Sequence, residues 1–360
     1  MNITVVGAGN IGTQFAVHCA EKKHNVIIYG SKPEKISKEL TIVNENDEVI
    51  HKGTISGATS NPEEAFSGAD VVFVTMPAFC MKSVADTILP YANPEMKICL
   101  IPGTGGGECA FKDCFHKGAV IFGLQRVPSV ARLCEYGKTV RATGYRDELF
   151  VSAIPNSATE ECRQIVGSIF DSMKCSALPM YLNLTLTPSN PILHTTRLRV
   201  LYKEYKDGFI YDSVPLFYEG WTDETSELLF KCDEEVQEMC RRLDCFDLSY
   251  VKSLRIHYES ATPEALTRKI QSIKGFKGIT SPCVKVEGGY IPDLNSRYFT
   301  ADFPYGLSIL VQLADLLEMD APYMKATLDW YYDIAGKKDE FRFSDYGINS
   351  LDEFIKFYSE

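Results

Sequence analysis

The first twelve residues constrain the fold more than any other part of this chain. Ile3–Val6 is a short apolar run that predicts a buried strand, and Gly7-Ala8-Gly9-Asn10-Ile11-Gly12 follows it directly. Apolar residues at helical spacing come next and predict a helix that starts at the end of this loop. A strand, a GxGxxG loop and a helix in this order predict a dinucleotide-binding unit.

Five residues of this loop have predicted roles. Gly7 permits the tight turn, Gly9 lets the backbone approach a pyrophosphate, and Gly12 lets the helix pack closely on the strand. The helix N-terminus offers free N–H groups and the positive end of its dipole, so Asn10 and Ile11 complete the predicted phosphate site.

Strands and helices alternate through the first half of the chain. The strands predicted after the first are Asn25–Tyr29, Gly53–Ile55, Asp70–Met76, Lys97–Ile101, Ala119–Leu124 and, at the sheet edges, Thr139–Thr143 and Phe150–Ile154. Alternation with helices, among them Phe79–Leu89 and Glu160–Phe170, predicts an α/β unit of the Rossmann type with a doubly wound parallel sheet. Ligands of such sheets bind beyond the carboxyl ends of the strands, so Met76, Pro77 and Phe79 are predicted to contact the cofactor.

Helical patterns dominate the second half. The predicted helices are Asn190–Tyr205, Asp223–Leu243, Pro263–Ile273, Gly306–Leu317 and Pro322–Ala335. The sequence therefore predicts two domains, a cofactor-binding domain over residues 1–184 and an all-helical domain for substrate and catalysis over residues 185–360.

Composition excludes several classes of protein. The formal net charge of −11 argues against a general nucleic-acid binder, which needs a basic surface. A run of about 20 apolar residues is missing, so no membrane span is predicted. The first strand starts at residue 3 and leaves no room for a leader, so we expect a cytoplasmic protein.

Cysteine usage predicts no metal site. The chain has 12 cysteines and no CxxC pair. Cys109, Cys114 and His116 lie close together in sequence, but no second ligand pair has zinc-site spacing. In a cytoplasmic chain these thiols are expected to be reduced and mostly buried.

The end of the second predicted strand bears on the choice of cofactor. The acid that usually holds the ribose 2′-hydroxyl of NAD lies about 20 residues beyond the glycines. Tyr29-Gly30-Ser31-Lys32 occupies that place without an acid, and the hydroxyl of Ser31 and the cation of Lys32 suit a 2′-phosphate. We therefore predict a preference for NADP and leave NAD open, because these residues also suit a plain polar turn.

Two segments of the second half carry residues suited to catalysis. Asn190 is predicted to cap a helix in which Pro191 is the first residue, and His194 follows near its start. A lone histidine on such a face is more often a core residue. Further on, Arg297 and Asp302 lie in the segment Asn295–Gly306, but the arginine could be solvated and the aspartate could cap the next helix.

Together these segments resemble the opine dehydrogenase family, which contains the octopine and nopaline dehydrogenases. The resemblance covers nearly the whole chain and rests on the GxGxxG loop, Pro102–Gly107, Asn190–His194, Phe217–Gly220 and Arg297–Gly306. It implies a Rossmann domain followed by a helical domain. It also implies an enzyme that joins a 2-oxo acid to the amino group of an amino acid and reduces the imine with NAD(P)H.

The resemblance also implies residue roles. It places the catalytic pair at His194 and Asp302, the grip on the oxo-acid carboxylate at Arg297, and further substrate contacts at Gln125, Asn190 and Thr104. These residue types suit the chemistry, because an aspartate orients a histidine that acts as general acid. An arginine holds a carboxylate through two parallel hydrogen bonds.

Two other interpretations stay open. A ketopantoate reductase-like enzyme for 2-oxo or 2-hydroxy acids shares the two-domain plan but uses a lysine as general acid, for which Lys203 is the nearest candidate. A regulatory protein could bind NADP(H) without turnover, but it would need neither the acid nor the carboxylate clamp. The expected partners are small molecules, and a homodimer is left open.

Overall fold

The computed structural model describes residues 1–187, 190–336 and 339–360. Contacts divide the chain into one unit of Met1–Thr185 with Ile355–Glu360 and a second unit of Leu186–Phe354. The predicted boundary after residue 184 lies one residue from this division. Ile355–Glu360, which the sequence analysis assigned to the second domain, belongs instead to the first unit.

The first unit contains both strands and helices. Its strands are β1 (Asn2–Val6), β2 (Asn25–Tyr29), β3 (Glu39–Val43), β4 (Val49–Thr54), β5 (Gly57–Thr59), β6 (Val71–Val74), β7 (Lys97–Leu100), β8 (Val120–Leu124), β9 (Val130–Glu135), β10 (Thr139–Thr143), β11 (Glu148–Ile154) and β12 (Lys174–Ala177). Its helices are α1 (Asn10–Glu21), α2 (Pro62–Phe66), α3 (Met81–Ile88), α4 (Gly107–Ala110), α5 (Lys112–His116), α6 (Thr159–Ile169) and α7 (Leu182–Thr185).

An eight-stranded sheet forms the centre of this unit, in the order β12-β11-β8-β7-β6-β1-β2-β5. β1 pairs in parallel with β2 and β6, and β6, β7 and β8 continue the parallel run. β11 joins β8 in antiparallel orientation. The doubly wound sheet predicted from the sequence is confirmed, and the carboxyl ends of β1, β6, β7 and β8 lie at one edge.

A second, four-stranded sheet was not predicted; its order is β4-β3-β10-β9. The prediction of Gly53–Ile55 as a strand of the main sheet was wrong, because Gly53 belongs to β4 of this second sheet and β5 is the strand that pairs with β2. Thr139–Thr143 is a strand, but it pairs with β3 and β9 rather than at an edge of the main sheet. The alternation of apolar and polar residues in a short strand shows which face is buried, but it does not show which sheet the strand joins.

The second unit is mainly helical. Its helices are α8 (Asn190–Leu201), α9 (Asp223–Arg242), α10 (Leu254–His257), α11 (Pro263–Ser272), α12 (Arg297–Thr300), α13 (Ser308–Leu316) and α14 (Pro322–Ala335), and α15 (Leu351–Ser359) begins in it. It also contains a hairpin of β13 (Cys283–Val286) and β14 (Gly289–Pro292) that the all-helical prediction missed. Gly288 lies in the turn of this hairpin, and its φ of +87° is a conformation that residues with a side chain rarely adopt.

Local sequence explains where the main helices of this unit begin. Thr222 and Thr262 cap α9 and α11, each accepting a hydrogen bond from the backbone N–H three residues on. Across the described ranges, none of the helices combines the length and the low polarity that crossing a bilayer requires.

Candidate active site

The glycine loop has the geometry that a dinucleotide requires. Gly7 adopts φ of +102°, which side chains disfavour. A Cβ on Gly12 would lie 1.9 Å from the carbonyl oxygen of Gly7, so only glycine allows α1 to pack this closely on the loop. A Cβ on Gly9 would meet nothing within 4 Å, so its backbone faces open space where a pyrophosphate can approach.

The N-terminus of α1 fits an anion. Gly9 caps the helix without a side-chain hydrogen bond, and no acid lies in the first turn. The first N–H groups of a helix have no partner within it, so those of Asn10 and Ile11 can meet a phosphate. The Asn10 side chain itself is engaged elsewhere, because its Oδ1 accepts a hydrogen bond from the backbone N–H of Leu133 at 2.8 Å.

The other predicted cofactor residues lie at strand ends. Ser31 and Lys32 follow β2 and are exposed. Met76 follows β6, and its sulfur would lie 3.0 Å from a Cβ on Gly7. Pro77 precedes a short 3-10 turn in which Phe79 is 49% exposed. These residues occupy the sheet edge where such ligands bind, and their contacts with a cofactor stay a prediction.

Two predicted substrate residues lie at the same edge. Thr104 follows β7 and Gln125 follows β8, and both are partly buried. The Gly103 N–H donates to the carbonyl of Leu124 at 2.7 Å, which holds the two strand ends together. The structure thus places Thr104 and Gln125 close to one another in the first unit, and their substrate contacts stay a prediction.

His194 and Asp302 come together in the second unit. His194 lies on α8 and is 8% exposed, and its Nδ1 is 2.8 Å from Oδ2 of Asp302. The carboxylate accepts the Nδ1 proton, which fixes the tautomer and leaves Nε2 as the atom that can exchange a proton. The structure therefore shows the pair that the sequence analysis predicted, while its catalytic role stays a prediction.

A π-helical turn presents Asp302 to the histidine. The turn covers Phe303–Leu307, and the Leu307 N–H donates to the carbonyl of Asp302 at 2.8 Å. A Cβ on Gly306 would lie 3.1 Å from the Pro191 ring, so the turn packs closely on the start of α8. The Asp302 side chain makes no capping hydrogen bond, which excludes the helix-cap interpretation.

Tyr218 is the site residue that the sequence analysis missed. Its hydroxyl lies 2.9 Å from Nε2 of His194, and its ring stacks on Phe276 with 3.9 Å between centroids. Burial holds the pKa of Tyr218 well above its ordinary value, so the phenol keeps its proton. The hydroxyl can donate to the neutral imidazole or accept from the imidazolium. The Phe217–Gly220 motif marked this segment, but nothing in the sequence paired it with the histidine.

Arg197 holds the segment that carries Tyr218. It lies on α8 one turn after His194 and is 2% exposed. Its guanidinium donates to the carbonyls of Phe217 at 2.9 Å and Leu216 at 3.2 Å. Burial lowers the pKa of Arg197 to about 10, so the group remains charged at neutral pH. One helix thus positions both the imidazole and, through Arg197, the phenol.

Arg297 begins α12 and is exposed. Within the described ranges its guanidinium has no hydrogen bond or ion pair, so pairing with a surface acid is not observed. The next residue, Tyr298, packs its ring on His194 with 4.7 Å between centroids. Asn190 is the first residue of α8 rather than its cap, and it is exposed; the two residues before it lie outside the described ranges.

Lys203 is not placed to act as an acid. It lies beyond the C-terminal end of α8, whereas His194 lies near the start of that helix. Its Nζ pairs with the carboxylate of Glu224 at 2.8 Å, and both side chains are at least half exposed. The lysine expected of the ketopantoate reductase-like alternative is therefore engaged in a surface ion pair.

Tyr218→Phe should lower kcat about fivefold and leave the KM for cofactor unchanged. The substitution removes one hydrogen bond to Nε2, worth about 1 kcal/mol, and keeps the ring that stacks on Phe276. Steady-state kinetics on an identified substrate pair measures the effect, with Tyr323→Phe as the control at an exposed position. An unchanged kcat would show that the phenol only fills space.

Comparisons with known proteins match two regions of the chain to known families. Residues 177–335 match the family described as NAD/NADP octopine/nopaline dehydrogenase, alpha-helical domain. Residues 2–104 match the N-terminal domain of NAD-dependent glycerol-3-phosphate dehydrogenase.

Curated relatives and a solved structure extend the match along the chain. The chain is 25% identical to tauropine dehydrogenase of Arabella iricolor, over 82% of this chain and 82% of the relative. It is 28% identical to opine dehydrogenase of Haliotis discus hannai, over 87% and 84%. The structure of octopine dehydrogenase with NADH and L-arginine shares the fold, with a TM-score of 0.87 and 23% identity over 100% of this chain and 98% of that one.

Proposed function

This chain belongs to the opine dehydrogenase family, and from that premise we propose that it condenses a 2-oxo acid with the amino group of an amino acid and reduces the product. Condensation releases water and forms an imine. Addition of a hydride and a proton to the imine then gives a secondary amine. The observation that carries the proposal is the contact of His194 with both Asp302 and Tyr218.

The side chains of His194, Asp302 and Tyr218 together can hold and deliver a proton. Asp302 accepts from Nδ1 and stabilises the imidazolium, so Nε2 is the atom from which a proton leaves. Tyr218 keeps its proton and holds Nε2 in place. A nicotinamide dinucleotide bound at the glycine loop supplies the hydride. The protein's part is therefore to polarise the oxo or imine group and to protonate it.

Arg297 suits the carboxylate of the oxo acid. Its planar guanidinium can donate two parallel hydrogen bonds, which orients the substrate as well as binding it. It is exposed at the start of α12, next to the tyrosine that packs on His194. Arg297 and Asp302 belong to the same short segment, so a carboxylate bound by Arg297 would be held by the segment that also carries Asp302.

We propose that the cofactor is NADP(H) in preference to NAD(H). Ser31 and Lys32 replace the acid that selects the ribose 2′-hydroxyl, and both side chains are exposed at the end of β2. One charge-assisted hydrogen bond contributes about 1.5–3 kcal/mol, so NADPH should bind at least about tenfold more tightly than NADH. Lys32→Glu should weaken NADPH by a similar factor and leave NADH nearly unchanged.

Fluorescence titration of both cofactors tests this preference. Lys23→Glu is the matched control, since it makes the same charge change at an exposed lysine after the C-terminal end of α1. Equal dissociation constants for the two cofactors, or a loss of NADPH affinity as large in the control as in Lys32→Glu, would contradict the assignment.

A substrate panel tests the reaction itself. NADPH and NADH oxidation is followed with each of several 2-oxo acids, with and without each amino acid. Acidic, neutral and basic donors are all needed, because Arg126 and Arg146 lie near the strand end that carries Gln125. Oxidation that requires both substrates, with a secondary amine as product, supports the proposal.

The same panel separates the alternatives. Oxidation with an oxo acid alone would indicate a 2-oxo acid reductase. Cofactor binding without turnover on any pair would indicate a regulatory protein. The surface ion pair of Lys203 and the partly buried contact between His194 and Asp302 both favour the condensation chemistry.

A further inference from the structure

A close approach between α1 and β4 creates a second cluster of histidines, in the first unit. A Cβ on Gly53 would lie 2.7 Å from the carbonyl oxygen of Val17, so β4 contacts the backbone of α1 only because this residue is glycine. His51 is two residues before Gly53 and therefore lies on the same face of β4. The strand thus places the His51 side chain directly on the helix.

Helix α1 carries two further side chains with candidate ligand atoms close to His51. His18 and Glu21 are three residues apart on α1 and share one face. Nδ1 of His51 lies 2.9 Å from Oε2 of Glu21, and the rings of His51 and His18 have centroids 4.6 Å apart. One candidate ligand atom from each of the three residues lies within 4.8 Å of the other two.

We propose that His18, Glu21 and His51 form a binding site for a divalent ion of the zinc type. Two imidazoles and one carboxylate are a ligand set that zinc uses with water in the fourth position. The His51 and Glu21 side chains are 32% and 35% exposed, so solvent can reach the site and supply that water. The cluster escaped the sequence analysis because 33 residues separate the two histidines and none of the three forms a ligand motif.

The surroundings suit a cation. His18 is 5% exposed, and its ring packs on Phe170 with 4.8 Å between centroids. Its Nε2 lies 3.3 Å from the hydroxyl of Tyr145, a contact that orients the ring. The nearby cation, Lys22, is paired with Asp171 at 2.5 Å, which offsets its repulsion of an ion.

An ion held here would tie α1 to the second sheet. Two ligands belong to the helix and the third to β4, so the ion would add to the packing and to the pair of His51 with Glu21 that already join these two elements. A ligand that binds the folded state alone raises its stability. The site is therefore assigned a stabilising role in the first unit, independent of the reaction proposed above.

Titration with Co²⁺ and Zn²⁺ tests the site on the full chain after metal removal with a chelator and without a polyhistidine tag. We expect one Co²⁺ per chain, with visible absorption typical of tetrahedral coordination, displaced by Zn²⁺. Zinc at about 100 times its dissociation constant should raise Tm by on the order of 5 °C.

Two variants and a control decide the ligands. His51→Gln and Glu21→Gln should each weaken Zn²⁺ by at least about tenfold and remove most of the rise in Tm. His116→Gln, an exposed histidine elsewhere in the unit, should change neither. Zinc affinity that is the same in all three variants, or no rise in Tm in the parent protein, would overturn the proposal and leave an ordinary ion pair between His51 and Glu21.

Discussion

His194→Ala is expected to lower kcat by about 10²–10⁴ while the affinity for cofactor stays near that of the parent protein. Loss of a positioned general acid typically has this effect. Nδ1 of His194 bonds to Asp302, so Nε2 is the ring nitrogen that can donate a proton. Among the described residues, the His194→Ala variant has no other imidazole in contact with Tyr218. Steady-state kinetics with the substrate pair from the panel, together with cofactor titration, measures both quantities.

Two further variants keep this prediction testable. His194 is buried, so His194→Gln, which better preserves the volume, should show the same loss with an unchanged Tm. Asp302→Asn should give a smaller loss, because the histidine remains while a neutral amide replaces the carboxylate that accepts from its Nδ1. His257→Ala, at an exposed histidine of the same unit, is the matched control. A kcat near that of the parent in His194→Gln would exclude the histidine as the acid.

Arg297→Lys is expected to lower kcat/KM for the oxo acid by about 10²-fold, with a strong rise in KM and a fall in kcat. An ammonium cannot reproduce the planar fork of a guanidinium, so the carboxylate is held less precisely for attack. NADPH affinity should not change, because the predicted cofactor residues belong to the first unit. Kinetics with the oxo acid varied at saturating amino acid measures the split between KM and kcat.

The control for this variant is Arg241→Lys, which changes an exposed arginine that pairs with Glu238 on its own helix. Such surface pairs contribute under about 1 kcal/mol, so this control should behave like the parent. If Arg297→Lys behaves the same way with every oxo acid tested, Arg297 does not bind the carboxylate. That outcome would favour a substrate without a carboxylate while leaving the role of His194 open.

Local patterns predicted much of the fold. The strand β2 and helix α14 have the predicted bounds, and the parallel sheet follows the predicted alternation. The errors concern pairing between distant segments. β4 and β10 joined a second sheet, and β13 and β14 formed a hairpin in a unit predicted to be all helical. Their short runs carry no signal of which partner strand they will meet.

For the site, local sequence patterns were enough to identify the glycine loop and the residue types suited to catalysis. The loop is readable because its requirements are local. Gly7 adopts a positive φ, which favours glycine. Gly12 must lack a side chain because the carbonyl oxygen of Gly7, only five residues earlier, occupies the space that a Cβ would need. The resemblance to a family then singled out His194, Asp302 and Arg297, since periodicity alone favoured a buried core histidine.

Which side chains meet depends on how distant segments pack against one another. Asp302 reaches His194 because a π-helical turn packs Gly306 on Pro191, across 108 residues of sequence. Tyr218 joins them because Arg197 binds the carbonyls of Leu216 and Phe217. Likewise, His51 reaches His18 only where a glycine lets a strand contact a helix. Such contacts depend on packing between elements distant in sequence, and no short-range pattern encodes the distance between them.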